Sequence, residues 1–128
     1  MFNAKNTKKQ GDIGVGSAVA YFAQKGFTVC IPLTDSQPYD LVVDMDGMLS
    51  RVQVKTTSYR YKSGMYMVSL TVKGGNRSGV GKIKVFDKTA VDHVFVLTED
   101  GERYLVPSSR CQNTITLNKA LEDCKLAA

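Results

Sequence analysis

Asp40, Gln53 and Lys55 are the residues of this sequence whose types and spacing could together do chemistry. Asp40 begins a strand-like run, and Gln53 and Lys55 end the next one, across a turn at Asp46 and Gly47. Successive side chains of a strand alternate between its two faces, so Gln53 and Lys55 point the same way. If Asp40 lies opposite them on the neighbouring strand, a carboxylate, an amide oxygen and an ammonium group converge.

Such a convergence supplies the groups that phosphodiester hydrolysis requires. Carboxylate and amide oxygens are hard ligands for Mg²⁺, and a cation stabilises the charge of a pentacoordinate phosphorus or helps to activate the attacking water. Arg51 shares the strand face of Gln53 and Lys55, while Val52 and Val54 face the other way. The same spacing also fits an ordinary solvent-facing strand with mixed charges, so the local pattern leaves both interpretations open.

The hydrophobic pattern predicts an α/β scaffold that positions these residues. A helix is expected over residues 11–25, because apolar residues recur at helical spacing and Gly26 is suited to end it. Strands are predicted over residues 27–31, 39–44, 48–55, 66–72, 93–97 and 104–107, and a short closing helix over residues 118–124. Because the hairpin connections are short, we expect a mixed sheet rather than a purely parallel one.

Length and composition limit the class of protein. A chain of 128 residues has the size of one domain, which we place at residues 11–128 after a flexible basic arm at residues 1–10. No apolar run approaches the roughly 20 residues of a membrane span. The polar start lacks a secretory signal, so we expect a cytoplasmic protein, in a bacterial or phage-infected cell. Three cysteines without CxxC spacing and the single His93 predict neither a disulfide framework nor a zinc site.

The net charge of +5 is distributed unevenly along the chain. Residues 51–88 contain nine basic residues and one acid, a net charge of +8, which leaves −3 for the remainder. Such asymmetry is typical of a surface that binds nucleic-acid phosphates, and a solvated surface with accidental clustering is the alternative. The candidate DNA contacts are Arg51, Arg60, Lys62, Lys73, Arg77, Lys82 and Lys84.

A glycine-rich segment, residues 74–81, lies among these basic residues. We expect it to be a mobile loop that becomes ordered on DNA. Its glycine spacing matches neither the P-loop nor the dinucleotide-binding pattern, which disfavours a nucleotide site.

Several short motifs resemble the PD-(D/E)XK nucleases, in which an aspartate is followed, after a spacer, by an acid or glutamine, any residue and a lysine. Pro38-Tyr39-Asp40 and Val52-Gln53-Val54-Lys55 carry that pattern here. Together with Gly11-Asp12-Ile13, Pro32-Leu33 and Tyr39-Asp40-Leu41-Val42, they resemble more narrowly the group I intron-associated homing endonucleases of cyanobacterial type, where glutamine replaces the usual acid. The clear part of the resemblance covers residues 11–57.

The resemblance implies a restriction-endonuclease-like αβββαβ core, with a mixed central sheet flanked by helices, and a Mg²⁺-dependent endonuclease in which Mn²⁺ can substitute. It implies that Asp40 is the central metal ligand, that Gln53 coordinates or orients metal and water, that the Val54 carbonyl is a further ligand and that Lys55 is the catalytic cation. It also implies a homodimer or homotetramer on double-stranded DNA, since cutting both strands takes at least two active sites.

One position departs from the family pattern. These nucleases usually carry a glutamate on the first helix, and the ungapped register puts Val15 at that place. Asp12 lies one turn earlier and could supply the missing carboxylate, directly or through water. The alternative is that Asp12 is a first-turn acid that complements the helix dipole.

Three functions remain open on the sequence. The first is a double-strand DNA endonuclease of the homing type. The second is a structure-selective nuclease similar to the Holliday junction resolvases, which use the same core. The third is a DNA-binding module of the same fold with impaired catalysis, which Val15 supports and which the retained Asp40, Gln53 and Lys55 oppose.

Overall fold

The computed structural model describes residue 2, residues 6–74 and residues 82–127. Within these ranges the chain forms one α-helix, nine strands and two 3-10 helices. They are α1 (Thr7–Gln24), β1 (Thr28–Cys30), β2 (Leu41–Met45), β3 (Met48–Thr57), β4 (Met67–Ser69), β5 (Val72–Gly74), β6 (Lys82–Lys84), β7 (His93–Thr98), β8 (Arg103–Pro107) and β9 (Thr114–Thr116), with 3-10 helices at Ser108–Arg110 and Lys119–Cys124. No described helix has the length and apolar character to cross a membrane.

Five strands form the central sheet, in the order β1-β2-β3-β7-β8. The β3–β7 pair is parallel and the other pairs are antiparallel. The predicted mixed α/β fold is therefore confirmed. In this sheet β3 is the middle strand, so its residues are held from both sides.

The β2–β3 hairpin closes through the two-residue turn that the Asp-Gly pair predicts. Met45 pairs with Met48, and the two residues between them have positive φ angles, 55° at Asp46 and 97° at Gly47. Positive φ at both central residues gives a turn whose twist matches that of the flanking strands. The Gly47 N–H also donates to Asp44 Oδ1 at 2.7 Å. The turn fixes the register that brings Leu41 opposite Val52.

Helix α1 covers one face of the central sheet. Gly14, Ala18 and Phe22 recur every four residues and are the buried residues of α1. On the sheet they face an apolar cluster made of Leu41, Val43, Val52, Phe95 and Leu97. This packing determines which side chains of β3 remain on the opposite face.

Short strands, rather than a second α-helix, cover the other face. Val94, Val96 and Val106 of the sheet pack there with Val68 of β4 and Ile115 of β9, and β4 and β9 pair with each other. An αβββαβ order would place an α-helix between β3 and β7, yet the described part of that connection contains only β4, β5 and β6. Among the described residues, the β4–β9 pair and the 3-10 helix Lys119–Cys124 therefore bury the second face of the predicted restriction-endonuclease-like fold, in the place of a second α-helix.

Other boundaries shift for local reasons. Helix α1 begins at Thr7, not at residue 11, because Asn6 caps it by accepting the Lys9 N–H at 3.0 Å. Residues 7–10 of the expected flexible arm are therefore helical. The predicted closing helix is a 3-10 helix with Asn118 as its cap. The predicted strand over residues 66–72 divides into β4 and the start of β5, and the glycine-rich segment after Gly74 lies outside the described residues.

Gly14 is predicted to be required for the seating of α1 on β3. A Cβ atom at Gly14 would lie 2.6 Å from Thr56 Cγ2 and 3.2 Å from Val54 Cγ1. Thr56 cannot turn away freely, because it is β-branched and its hydroxyl accepts a hydrogen bond from Gln10. We expect Gly14→Ala to lower the free energy of unfolding in urea by about 1–3 kcal/mol.

Gly16→Ala is the matched control, since a Cβ there meets nothing within 4 Å. It should stabilise the protein by about 0.5–1 kcal/mol, the usual gain from replacing glycine inside a helix. Equal effects of the two substitutions would contradict the close approach of α1 to β3.

Candidate active site

Asp40 lies where β2 begins, and two hydrogen bonds tie it to β3. Its N–H donates to the Val52 carbonyl at 2.9 Å. Its carboxylate Oδ2 accepts the Val54 N–H at 2.7 Å. The strand ladder between β2 and β3 ends at the Leu41–Val52 pair, so beyond it the Asp40 carboxylate takes over as acceptor for β3. The acid is therefore held against the strand that carries the other two predicted site residues.

The alternation along β3 is as predicted. Val52 is buried in the cluster under α1, and Val54 packs against the same cluster. Arg51, Gln53 and Lys55 therefore point to the opposite face. One hairpin thus brings Asp40, Gln53 and Lys55 to the same part of the sheet. Asp40 lies beside the edge of β3. Gln53 and Lys55 lie on the face of β3 that is turned away from α1.

The Gln53 amide contains a buried oxygen without a partner. Among the described residues, Gln53 Oε1 is the buried side-chain nitrogen or oxygen that finds no hydrogen bond. Leaving a buried acceptor unpaired costs about 1–3 kcal/mol. A cation at this point would remove the cost, since an amide oxygen is a hard ligand. Gln53 Oε1 is therefore suited to be a ligand of a metal ion bound next to Asp40.

The carboxyl group of Asp40 has an altered acidity. Partial burial raises its pKa above the usual value; the hydrogen bond from Val54 and the positive charge of Lys55 lower it, without fully offsetting the burial. As a whole residue Asp40 is exposed, and Oδ2 is the carboxylate atom that is turned toward β3. A carboxylate that is partly desolvated, yet reachable, favours a bound cation because the ion restores the interactions that water no longer supplies.

The available metal ligands are one carboxylate and neutral oxygens. Asp40, Gln53 Oε1 and the Val54 carbonyl could hold a divalent ion. The carbonyl points to the same side as the Val54 N–H, which meets Asp40. In the described part of the chain no three His, Cys, Asp or Glu side chains gather into a metal-binding group. Such a site suits Mg²⁺ by ligand type, although its single negative charge implies weak binding.

The first helix contributes no carboxylate to this face. Val15 packs partly buried against the cluster under α1. Asp12 is exposed and lies roughly 160° around the helix from Gly14, the residue that faces β3. Because α1 starts at Thr7, its first turn contains no acid, so Asp12 is not a first-turn acid either. The helix directs Asp12 away from β3, and its catalytic role stays a prediction.

The predicted DNA contacts differ in whether the structure already gives them a partner. Arg51 and Arg60 already have partners: Arg51 bonds to both carboxylate oxygens of Asp92, at 3.1 and 3.2 Å, and Arg60 pairs with Asp100 and lies 4.2 Å from the Tyr66 ring centroid. Lys62 is exposed, with no ion pair to any described residue. Lys73, Lys82 and Lys84 lie on the paired strands β5 and β6, and Arg77 is outside the described residues.

Gln10 has a structural role that the sequence interpretation missed. Its Nε2 donates to Thr56 Oγ1 at 3.0 Å, and so ties the first turns of α1 to the residue after Lys55. The expected arm had included Gln10. A signal for it exists, because Gln10, Gly14, Ala18 and Phe22 follow one another at intervals of four residues, the spacing of a single helix face.

Asp40→Asn should leave the protein more stable than the wild type at neutral pH in metal-free buffer. The raised pKa means that ionisation of Asp40 costs stability in the folded state, and this cost appears as the pH rises above the unfolded-state pKa of about 3.9. The difference in melting temperature between variant and wild type should therefore grow from acid to neutral pH. A wild type that stays the more stable protein throughout would contradict the desolvated position of Asp40.

Substitutions of Arg51 and Lys62 should distinguish a cation that stabilises the fold from one that binds DNA. Arg51→Ala removes the partner of Asp92 and should lower the urea midpoint, while Lys62→Ala should leave it unchanged. In DNA binding, Lys62→Ala should weaken affinity and reduce the slope of log affinity against log salt by about one. A Lys62→Ala variant with an unchanged salt slope would remove this residue from the DNA interface.

Comparisons with known proteins identify the family and a similar fold. The family model described as PD-(D/E)XK endonuclease matches residues 5–122. The fold is similar to the solved structure of a bacterial homing endonuclease, I-Ssp6803I, with a TM-score of 0.75 and 29% sequence identity, over 89% of this chain and 79% of that one. No curated protein matches the sequence significantly. The matched residues include the whole β2–β3 hairpin and α1, so this chain belongs to the PD-(D/E)XK endonuclease family.

Proposed function

We propose that this protein is a Mg²⁺-dependent endonuclease that hydrolyses phosphodiester bonds in double-stranded DNA, as a homing-type enzyme. The observation that carries the proposal is the buried, unpaired Gln53 Oε1 on β3, the strand that carries Lys55 and is hydrogen-bonded to Asp40. A purely structural or DNA-binding sheet would gain stability by pairing or replacing this oxygen. In a metal-dependent nuclease the same oxygen would be a ligand of the divalent ion.

The three side chains would share two tasks. Asp40, Gln53 and the Val54 carbonyl would hold the divalent ion, with Mn²⁺ able to replace Mg²⁺. When bound, the ion supplies positive charge that polarises the scissile phosphate. Lys55 extends from the same strand face as Gln53, and its ammonium group stabilises the negative charge that accumulates on the phosphate oxygens during hydrolysis.

The hydrogen bond from Val54 fixes the direction of the Asp40 carboxylate. That restraint matters because an active site must hold its groups within a fraction of an ångström before the substrate arrives. The Val54 side chain is in turn fixed under α1, at the point where Gly14 allows the helix to approach. The α1–β3 contact therefore supports the position of the metal-binding oxygens.

A homodimer or homotetramer is part of the proposal. One chain of 14.0 kDa carries one such site, and cleavage of both strands of a duplex requires two. Closed symmetry is the usual way in which identical chains supply paired sites. The structural similarity to a homing endonuclease supports the homing-type function over a junction-specific one.

Lys55→Ala should reduce cleavage of duplex DNA by about 100-fold or more, since removal of one group that stabilises transition-state charge costs that much. The assay incubates the protein with Mg²⁺ or Mn²⁺ and, in separate reactions, a duplex library and a four-way junction; EDTA should stop all cleavage. Lys119→Ala is the matched control, because it removes the same charge from an exposed residue at the start of a 3-10 helix.

Two outcomes would count against the proposal. Equal cleavage by Lys55→Ala and the wild type would remove Lys55 from the chemistry. Cleavage of the junction alone would replace the homing-type function with a structure-selective one.

A further inference from the structure

The edge of β3 is open on one side just beyond the active site. The Arg51 carbonyl accepts the Asp92 N–H and the Thr57 carbonyl accepts the Glu99 N–H, both at 2.9 Å. The odd-numbered residues of β3 thus form their hydrogen bonds toward β7. Because backbone groups of a strand alternate in direction, the even-numbered residues point to the β2 side. Val52 and Val54 meet Asp40 there.

Thr56 is the next even-numbered residue, and β2 has no residue to pair with it. The β2–β3 ladder ends at Leu41, and Asp40 is already bonded to Val52 and Val54. No described group accepts the Thr56 N–H. An unpaired backbone donor at a strand edge needs water or a ligand as its acceptor.

This open edge is the floor of a groove of about 340 Å³. Gln10 of α1 lies on one side, and Ser69 at the end of β4 lies on the other, with Lys55 and Tyr59 along the length. The groove exists because the chain beyond β3 folds back: Thr57 Oγ1 donates to the Met67 carbonyl at 2.7 Å. It continues directly from the proposed catalytic lysine.

The chemistry of the groove fits an anion. None of its lining residues is acidic, one is a lysine, and most of the others carry hydroxyl or amide donors. Thr56 Oγ1 accepts a hydrogen bond from Gln10, so its own O–H remains free to donate. The Thr56 N–H, the Thr56 hydroxyl and Lys55 together resemble the mixed backbone and side-chain donors with which proteins bind DNA phosphates.

The spacing along β3 also fits a DNA strand. Val54 and Thr56 are two residues apart, about 6.7 Å in an extended strand. Consecutive phosphates of one DNA strand are separated by a similar distance. A phosphate cleaved beside Asp40 and Val54 would therefore have its neighbour beside Thr56.

We propose that the open edge of β3 between Gln10 and Ser69 binds the DNA phosphate adjacent to the scissile one, with the Thr56 N–H as its main donor. This inference rests on the proposed nuclease function. The proposal gives Gln10 a second role besides linking α1 to β3: its side-chain amide positions the Thr56 hydroxyl toward the groove. Because the contact is to the backbone, it positions the strand and does not read sequence.

The test compares Ser69→Glu with Ser69→Gln in the full-length protein, in EDTA so that no DNA is cut. Ser69 is exposed, so both side chains fit, and they differ only in charge. A negative charge in the groove should repel a phosphate, and we expect Ser69→Glu to bind a short duplex about fivefold to tenfold more weakly than Ser69→Gln. Ser58→Glu and Ser58→Gln repeat the comparison from the β3 side of the groove.

A second measurement observes Thr56 directly. In ¹⁵N–¹H spectra the Thr56 amide should shift when the duplex is added. The shift should be lost with a duplex of the same sequence whose backbone carries uncharged methylphosphonates. Shifts that survive this replacement would mean that bases, not phosphates, occupy the groove, and would overturn the inference.

The two proposals fail in different ways. If the wild type cleaves DNA with Mg²⁺, but both Glu–Gln pairs bind equally and the Thr56 amide does not move, the groove is not a phosphate site and the nuclease function stands. If the wild type neither binds nor cuts the duplex, both proposals are overturned.

Discussion

The hydrogen bond from the Val54 N–H to the Asp40 carboxylate is the interaction on which the site depends. It forms because the β2–β3 ladder ends at the Leu41–Val52 pair, so β2 offers no backbone acceptor for the Val54 N–H. The Asp40 side chain takes the place of that acceptor. The arrangement solves two problems at once. It satisfies a backbone donor at a strand edge, and it orients an acid that burial has made reluctant to ionise.

The position of β3 gives this interaction its rigidity. The strand lies in the middle of the sheet, bonded to β2 on one side and to β7 on the other, with α1 packed onto one face. The close approach at Gly14 leaves little room for β3 to move toward the helix. The other face carries the polar residues Gln53 and Lys55. Rigid support on one face, with the proposed catalytic groups on the other, is the division of roles that a preorganised site requires.

Local patterns predicted the parts of the structure that local chemistry determines. The Asp46–Gly47 turn and the valines that alternate with polar residues on β3 were sufficient to predict the hairpin and the face of Gln53 and Lys55. The start of α1 was missed, because its cap is a single Asn6 in a stretch that otherwise offers nothing to bury.

Contacts between distant parts of the chain could not be predicted in this way. The pairing of β4 with β9 joins strands of three residues that are far apart in sequence, and neither carries a distinctive pattern. The pairing of Arg51 with Asp92 and the burial of Gln53 Oε1 depend on how β3 and β7 meet. The type of a residue suggests what it can do, but its partners are set by the tertiary structure.

Because β3 and β7 pair in parallel, a long connection must join them, and this connection is separate from the β2–β3 hairpin. Asp40, Gln53 and Lys55 belong to one hairpin, so closing a two-residue turn brings them together at small entropic cost. The connection from β3 to β7 carries six of the seven candidate DNA contacts, and its exposed segments can change without breaking the pairs of that hairpin. Under the proposed function, evolution can therefore alter which DNA the protein prefers while the proposed catalytic geometry is inherited intact.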